Sequence, residues 1–225
     1  MQEKRYLATL TGETSLIMHA DNPDWADYLK EWRKDPANKK ASVAGDDRSP
    51  AWSWVGSVYH DNGLVVVPSD NLMTVLREGG AKCPTGKGQT TFKRQSQSGI
   101  QVDDPSWPLL IGGNTIPFDP IKAMIDNPDY KAHQQLAEKL GFELFAKRAR
   151  ITATAKHLRV RPRFSRWSCS GTITVLDEMI TEDVLRNILV FAGRYSGIGD
   201  WRPSAPKSPG PWGKFSVELK EVIDE

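Results

Sequence analysis

The chain has 225 residues, 39% hydrophobic and 26% charged, and 30 Lys and Arg against 28 Asp and Glu leave a net charge of +2. That length buries a sizeable core and the composition is that of an ordinary globular protein, but the small net charge excludes a strong global field, so a polyanion partner has to be met by local clusters. Cys83 and Cys169 are too few for a disulfide framework, no zinc-ligand spacing accompanies them, and there is no apolar leader or 18-residue apolar run; a cytoplasmic protein without membrane anchor, metal or cofactor is expected.

In chain order, Tyr6, Ala8 and Leu10 alternate as on a strand. Asp21-Asn22-Pro23 is a helix-start signal, followed by Trp25, Tyr28, Leu29 and Trp32 at helical spacing. Residues 34–50 are polar and without period, and 19–58 as a whole reads as an insertion. GLVVVP at 63–68 is a short apolar strand; Ser69 then caps a helix with Leu72, Val75 and Leu76 on one face, and Gly79-Gly80 ends it. Residues 82–142 read as a second insertion, with a mobile basic finger at its start and a helix over 129–140. Within the finger, KCPTGK fails as a phosphate loop, because Ala81 and Gly88 stand where Gly and Ser or Thr are needed. ARITATA, RVRPRF and SGTITVL read as strands, Thr181 caps an amphipathic helix, and 216–222 closes the chain as a strand. Strands separated by two helices predict an α+β fold: one domain over 1–225, a ferredoxin-like or RRM-like antiparallel sheet with both helices on one face, decorated by the two insertions.

Two surfaces point to a polyanion. Between 147 and 166 stand Lys147, Arg148, Arg150, Lys156, Arg159, Arg161, Arg163 and Arg166, with no Asp or Glu among them. Arg159, Arg161 and Arg163 alternate with Val160, Pro162 and Phe164, which on a strand places three guanidiniums on one face about 7 Å apart. Such a row needs a polyanion, or carboxylates from elsewhere in the fold, to relieve its repulsion; arginine meets phosphate through paired donors and stacks on bases. The second surface is the glycine-rich stretch 193–215. Gly197 and Gly199 allow close backbone approach, Arg194, Arg202 and Lys214 supply charge, and Trp201 and Trp212 supply stacking surface, although a tightly packed hairpin accounts for the same glycines. Lys87, Lys93 and Arg94 in the finger extend the basic set. Catalytic patterns are thin: His19, Asp21 and His157 are the candidates, the first two as a small polar cluster and His157 as an acid or base within the basic run.

Residues 63–78, GLVVVPSDNLMTVLRE, with Pro68, Ser69, Leu72 and Arg77 in place, and the stretch AGRYSGIGDWRP…PWGKFSVEL, with Gly197, Gly199, Gly210 and Gly213, resemble the RAMP superfamily (repeat-associated mysterious proteins) of CRISPR systems. The same segments, with LIMH and RPRFSRW, resemble uncharacterised phage and prophage proteins. The sequence departs from the superfamily at Asp70-Asn71, where it has a glycine turn, and in the four prolines Pro203, Pro206, Pro209 and Pro211 of the last loop. The resemblance implies an RRM-like core that coats single-stranded RNA or DNA without catalysis, self-associates as a filament or joins a multi-subunit ribonucleoprotein, and belongs to antiviral defence or to a phage. Two alternatives stay open: a RAMP-type endoribonuclease, and a phage protein that interferes with host defence by mimicking a RAMP subunit. In some superfamily members an early-loop aspartate cuts RNA, and Asp21 lies in a comparable region.

Overall fold

The computed structural model describes residues 3–150 and 156–223, and the chain divides into two compact units, one of residues 1–16, 66–115 and 165–225, the other of 17–65 and 116–164. Its strands are β1 (Lys4–Gly12), β2 (Leu16–Ile17), β3 (His60–Asp61), β4 (Leu64–Pro68), β5 (Ile100–Val102), β6 (Ser106–Pro108), β7 (Leu110–Ile111), β8 (Asn114–Thr115), β9 (Glu143–Arg150), β10 (Lys156–Phe164), β11 (Trp167–Val175) and β12 (Phe215–Val222). Its helices are α1 (Pro23–Lys34), α2 (Ser69–Lys82), α3 (Lys93–Ser98), α4 (Asp119–Lys122), α5 (Tyr130–Lys139) and α6 (Glu182–Phe191).

The first unit holds the ferredoxin-like core. Its succession β1, α2, β5, β11, α6, β12 is βαββαβ, and its antiparallel sheet runs β12-β1-β11, with β5 on the far edge of β11. That is the 4-1-3-2 order of the ferredoxin-like plan. β7 takes the other end of the same β11 edge, Leu110 and Ile111 against Ser168 and Trp167. The period-2 pattern sets the register: Tyr6, Ala8 and Leu10 are buried, as are Cys169 and Ile173 of β11. Burial pushes the Cys169 thiol up to about 12, so it acts as a small apolar side chain. α2 and α6 pack against each other, and each buries one face, Leu72, Val75 and Leu76 on α2 and Leu185, Ile188 and Leu189 on α6.

Two local expectations for α2 are corrected. The N-cap is Pro68, without a side-chain cap, and Ser69 is already helical. Nor do the glycines stop the helix, which runs on to Lys82. Their value is small size: a side chain on Gly79 would meet the Ile188 carbonyl of α6, and one on Gly80 would meet Ser96. Ser96 belongs to α3, which occupies part of the segment read as a mobile finger; buried Phe92 and Ser96 anchor it against α2.

The second unit is built around the β9–β10 hairpin, with β2 on the other edge of β10. Residues 151–155 of the expected ARITATA strand lie outside the described residues. Asn22 caps α1, its Oδ1 accepting from Trp25 N–H at 3.1 Å. No residue of α1 is fully buried; the helix rests through Trp25, Tyr28 and Trp32 on the buried Trp52, with ring centroids 5.4 to 5.5 Å apart. Deeper in the unit, Trp54 Nε1–H donates to His133 Nδ1 at 3.1 Å, and the other ring nitrogen of His133 lies 2.9 Å from the Asn127 carbonyl. Both partners fit the neutral imidazole with its proton on Nε2, and burial lowers the pKa of His133.

A pH dependence of stability follows. The unfolded chain binds a proton at His133 near its ordinary pKa of about 6.5, and the folded chain resists until lower pH. The contribution is therefore complete above that value and is lost as pH falls toward the depressed folded pKa. His60, stacked on Phe118 and also lowered by burial, carries the same sign. Urea unfolding midpoints at pH 7.5 and pH 5 are expected to differ, and His133→Gln is expected to shrink the difference.

Candidate nucleic-acid interface

The register of β9 and β10 places Arg163 opposite Glu143, Arg161 opposite Phe145, Arg159 opposite Lys147 and His157 opposite Ala149, all on one face. Arg159, Arg161 and Arg163 therefore do share a face. Their repulsion, however, is relieved within the chain. Asp47 takes both neighbours: Arg159 Nη1 lies 3.2 Å from Oδ1, and Arg161 Nη1 lies 3.1 Å from Oδ2. Arg163 pairs with Glu143 and lies 4.3 Å over the Phe145 ring. Of the two kinds of counter-charge that such a row needs, a polyanion or carboxylates from elsewhere in the fold, the fold supplies the second through Asp47 and Glu143.

Asp47 is held there by the backbone. Leu158 N–H donates to the Gly45 carbonyl at 2.8 Å and Asp47 N–H to the Leu158 carbonyl at 2.9 Å, which clips residues 45–47 along β10. Gly45 has φ of +77°, and a side chain on it would run into His157, so glycine is required at this clip. The Asp47 carboxylate also accepts from Val160 N–H at 3.3 Å. Arg161 is buried, with Nη2 3.2 Å from His19 Nε2. That contact requires a lone pair on Nε2 and hence the imidazole proton on Nδ1.

Beside this cluster lies a cavity of about 210 Å³, lined among others by Asp47, Arg159 and Arg161 and by Trp25 and Arg33 of α1. His19 and Asp21 line it as well. The structure thus gathers the two weak candidates His19 and Asp21 with two arginines of the ladder. Sequence reasoning missed Asp47, Trp25 and Arg33 as lining residues. His157 lies apart, half-buried over Gly45.

Farther along the hairpin the charges are exposed. Lys147, Arg148, Arg150 and Lys156 are all solvent-facing, and Arg150 lies directly opposite Lys156. Arg150 and Lys156 make no ion pair among the described residues. The nearby acid Asp46 is already taken by Arg48 at 2.7 Å, and its hydrogen bond to that arginine lowers its pKa.

The remaining sequence candidates belong to the first unit. Lys87, Lys93, Arg94, Arg166 and Arg194 are exposed. Arg202 ties its loop to α2, with Nη2 3.5 Å from Glu78 and Nη1 3.3 Å from the Gly199 carbonyl. Trp201 and Trp212 are half-buried. The glycine-rich stretch is packed upon itself and upon residues 14–15: Ile198 N–H donates to the Gly213 carbonyl, Gly213 N–H to the Ser15 carbonyl and Lys214 N–H to Thr14 Oγ1, each at 2.9 Å. Gly213 has φ of +71°, and a side chain there would strike the Ile198 carbonyl. Gly213→Ala is expected to cost about 2 kcal/mol, read by chemical denaturation.

Among the described residues, the outward-pointing pairs of β1 and β11 include no aromatic ring. Leu7, Thr9 and Thr11 of β1 face Thr172, Ser170 and Ser168 of β11, where an RRM places the rings that stack bases.

No protein-family model and no curated protein matches the sequence. Among solved structures the chain is similar to the crystal structure of Cmr6 from Pyrococcus furiosus, with a TM-score of 0.36 and 9% identity, over 96% of this chain and 99% of that one. A likeness of that size says nothing about function; the fold class rests on the strand order. No helix among the described residues is long and apolar enough to cross a membrane, and none of their His, Cys, Asp and Glu side chains form a group of three or more placed to hold a metal ion.

Proposed function

We propose that this protein binds single-stranded RNA or DNA through its phosphate backbone, as a non-catalytic subunit of the RAMP type that lies along a strand beside further copies or other subunits. The observation that carries the reading is the distal half of the β9–β10 hairpin, where Lys147, Arg148, Arg150 and Lys156 are exposed on both faces of a two-stranded ribbon with no acid in either strand beyond Glu143. A solvent-exposed cluster of this kind gains by releasing counterions from a polyanion, and it reads charge spacing rather than base sequence. The βαββαβ core and the tightly packed glycine-rich loop agree with a RAMP-type scaffold. The first unit by itself carries exposed Lys87, Lys93, Arg94 and Arg194.

Fluorescence anisotropy with labelled 30-mer poly(U) and poly(dT) tests this. Binding is expected at low salt for both, falling steeply as salt rises. Absence of binding to any single-stranded oligonucleotide at about 50 mM salt, where phosphate contacts are strong, sinks the reading. The same incubation tests the ribonuclease alternative, for which His19 beside Arg161 is the only residue with a suitable neighbour among the described candidates. Intact RNA is expected.

A further inference from the structure

We infer that the cavity beside Asp47 is a binding site for a single phosphate group, separate from the exposed hairpin cations on which the single-strand reading rests. Three arginines line it, Arg33, Arg159 and Arg161, against two carboxylates, Asp21 and Asp47. Asp47 is occupied: its two oxygens accept from Arg159, Arg161 and the Val160 N–H. One carboxylate shared by two guanidiniums leaves excess positive charge, and the neutral imidazole that the Arg161–His19 contact requires adds none.

The donors are placed for an oxyanion. Arg159 gives only Nη1 to Asp47, so its remaining N–H groups are available at the cavity it lines, and its side chain is 34% exposed. The Asp47 pairing fixes the orientation of the fork, so little rotamer freedom is lost on binding. Arg33, solvent-exposed on α1, lines the same cavity and makes no ion pair among the described residues. It adds a third positive charge to a lining whose two carboxylates are Asp21 and the already occupied Asp47, and a dianion offsets that excess. At about 210 Å³ the cavity is smaller than the roughly 300–1,000 Å³ of drug-sized ligand sites, which suits one tetrahedral anion rather than a whole small molecule. Phosphate can come from solution, from the end of a nucleic-acid strand or from its backbone, and the chemistry of recognition is the same.

The experiment is calorimetric titration of the full-length protein with inorganic phosphate, at constant ionic strength set by chloride. Saturable one-to-one binding is expected, weakened about tenfold or more in Arg33→Gln and in Arg159→Gln, as for loss of a charge-assisted hydrogen bond. Arg33 has no ion pair to lose among the described residues, so its variant decides the matter if Arg159→Gln does not fold. Absence of saturable phosphate binding, or a folded variant of either arginine that binds phosphate as tightly as the unsubstituted protein, overturns the assignment. Oligonucleotides with and without a 5′-phosphate then assign the source. Tighter binding of the phosphorylated strand points to a strand end. Equal affinities that both drop in Arg33→Gln point to the backbone, and no effect of Arg33→Gln on either strand points to free phosphate. A protein that binds oligonucleotides but not phosphate loses this site and keeps the hairpin reading; the reverse result keeps the site and removes the hairpin.

Discussion

Replacing Lys147, Arg148, Arg150 and Lys156 together by glutamine is expected to weaken single-strand binding by about 10³-fold at ~50 mM salt and to lower the salt slope by about 3, since each phosphate contact to a single strand contributes roughly 0.7 to that slope. All four side chains are exposed, so the fold should tolerate the change and the unfolding midpoint should barely move. The loss should be alike for uridine-rich, adenine-rich and mixed strands, because the contacts are to phosphate and carry no base information. A base-dependent loss points to stacking by the half-buried Trp201 or Trp212 instead. An unchanged slope in the quadruple variant removes the hairpin from the interface.

The core was legible because its signals are local. Tyr6, Ala8 and Leu10 alternate and are buried, and Thr181 caps α6, its hydroxyl accepting from Val184 N–H at 3.3 Å. Two helices between such strands leave few topologies, and the observed order is the ferredoxin-like one. The places that misled were those where a residue answers to a distant neighbour. Gly79-Gly80 reads as a helix stop until α6 and Ser96 are seen to press on it. The 82–101 stretch lacks apolar periodicity because a few widely separated buried side chains, Cys83, Phe92, Ser96 and Ile100, suffice to anchor it.

The candidate site divides in the same way. That Arg159, Arg161 and Arg163 share a face follows from strand alternation alone. Their partner Asp47 lies 112 residues from Arg159, in a polar stretch without period, and nothing near it marks it as a ligand of arginine. The one available hint was negative: a row of guanidiniums without a local acid requires a counter-charge from somewhere. The requirement was legible, but which of the two kinds of counter-charge meets it depends on the clip formed by Gly45, Asp47 and Leu158.

That clip carries the second large prediction. Asp47→Ala leaves Arg161, buried, beside Arg159 with no carboxylate between them and takes away an acceptor from the Val160 N–H. Removing one partner of a buried ion pair costs about 3–5 kcal/mol. The Arg159 side chain is 34% exposed, so water recovers part of its share and the lower end, about 3 kcal/mol, is expected in urea unfolding. Asp47→Asn keeps acceptors while losing the charge and should cost about half as much. Removing Arg159 as well should return part of the loss, because the repulsion goes with it. The variant also couples stability to the cavity: without Asp47, an added phosphate is the one anion held between the arginines, so inorganic phosphate should raise the unfolding midpoint of Asp47→Ala by more than that of the unsubstituted protein. Equal increments in the two proteins mean that the arginines find their counter-charge elsewhere, and a difference in the expected direction ties the fold of the second unit to the anion it holds.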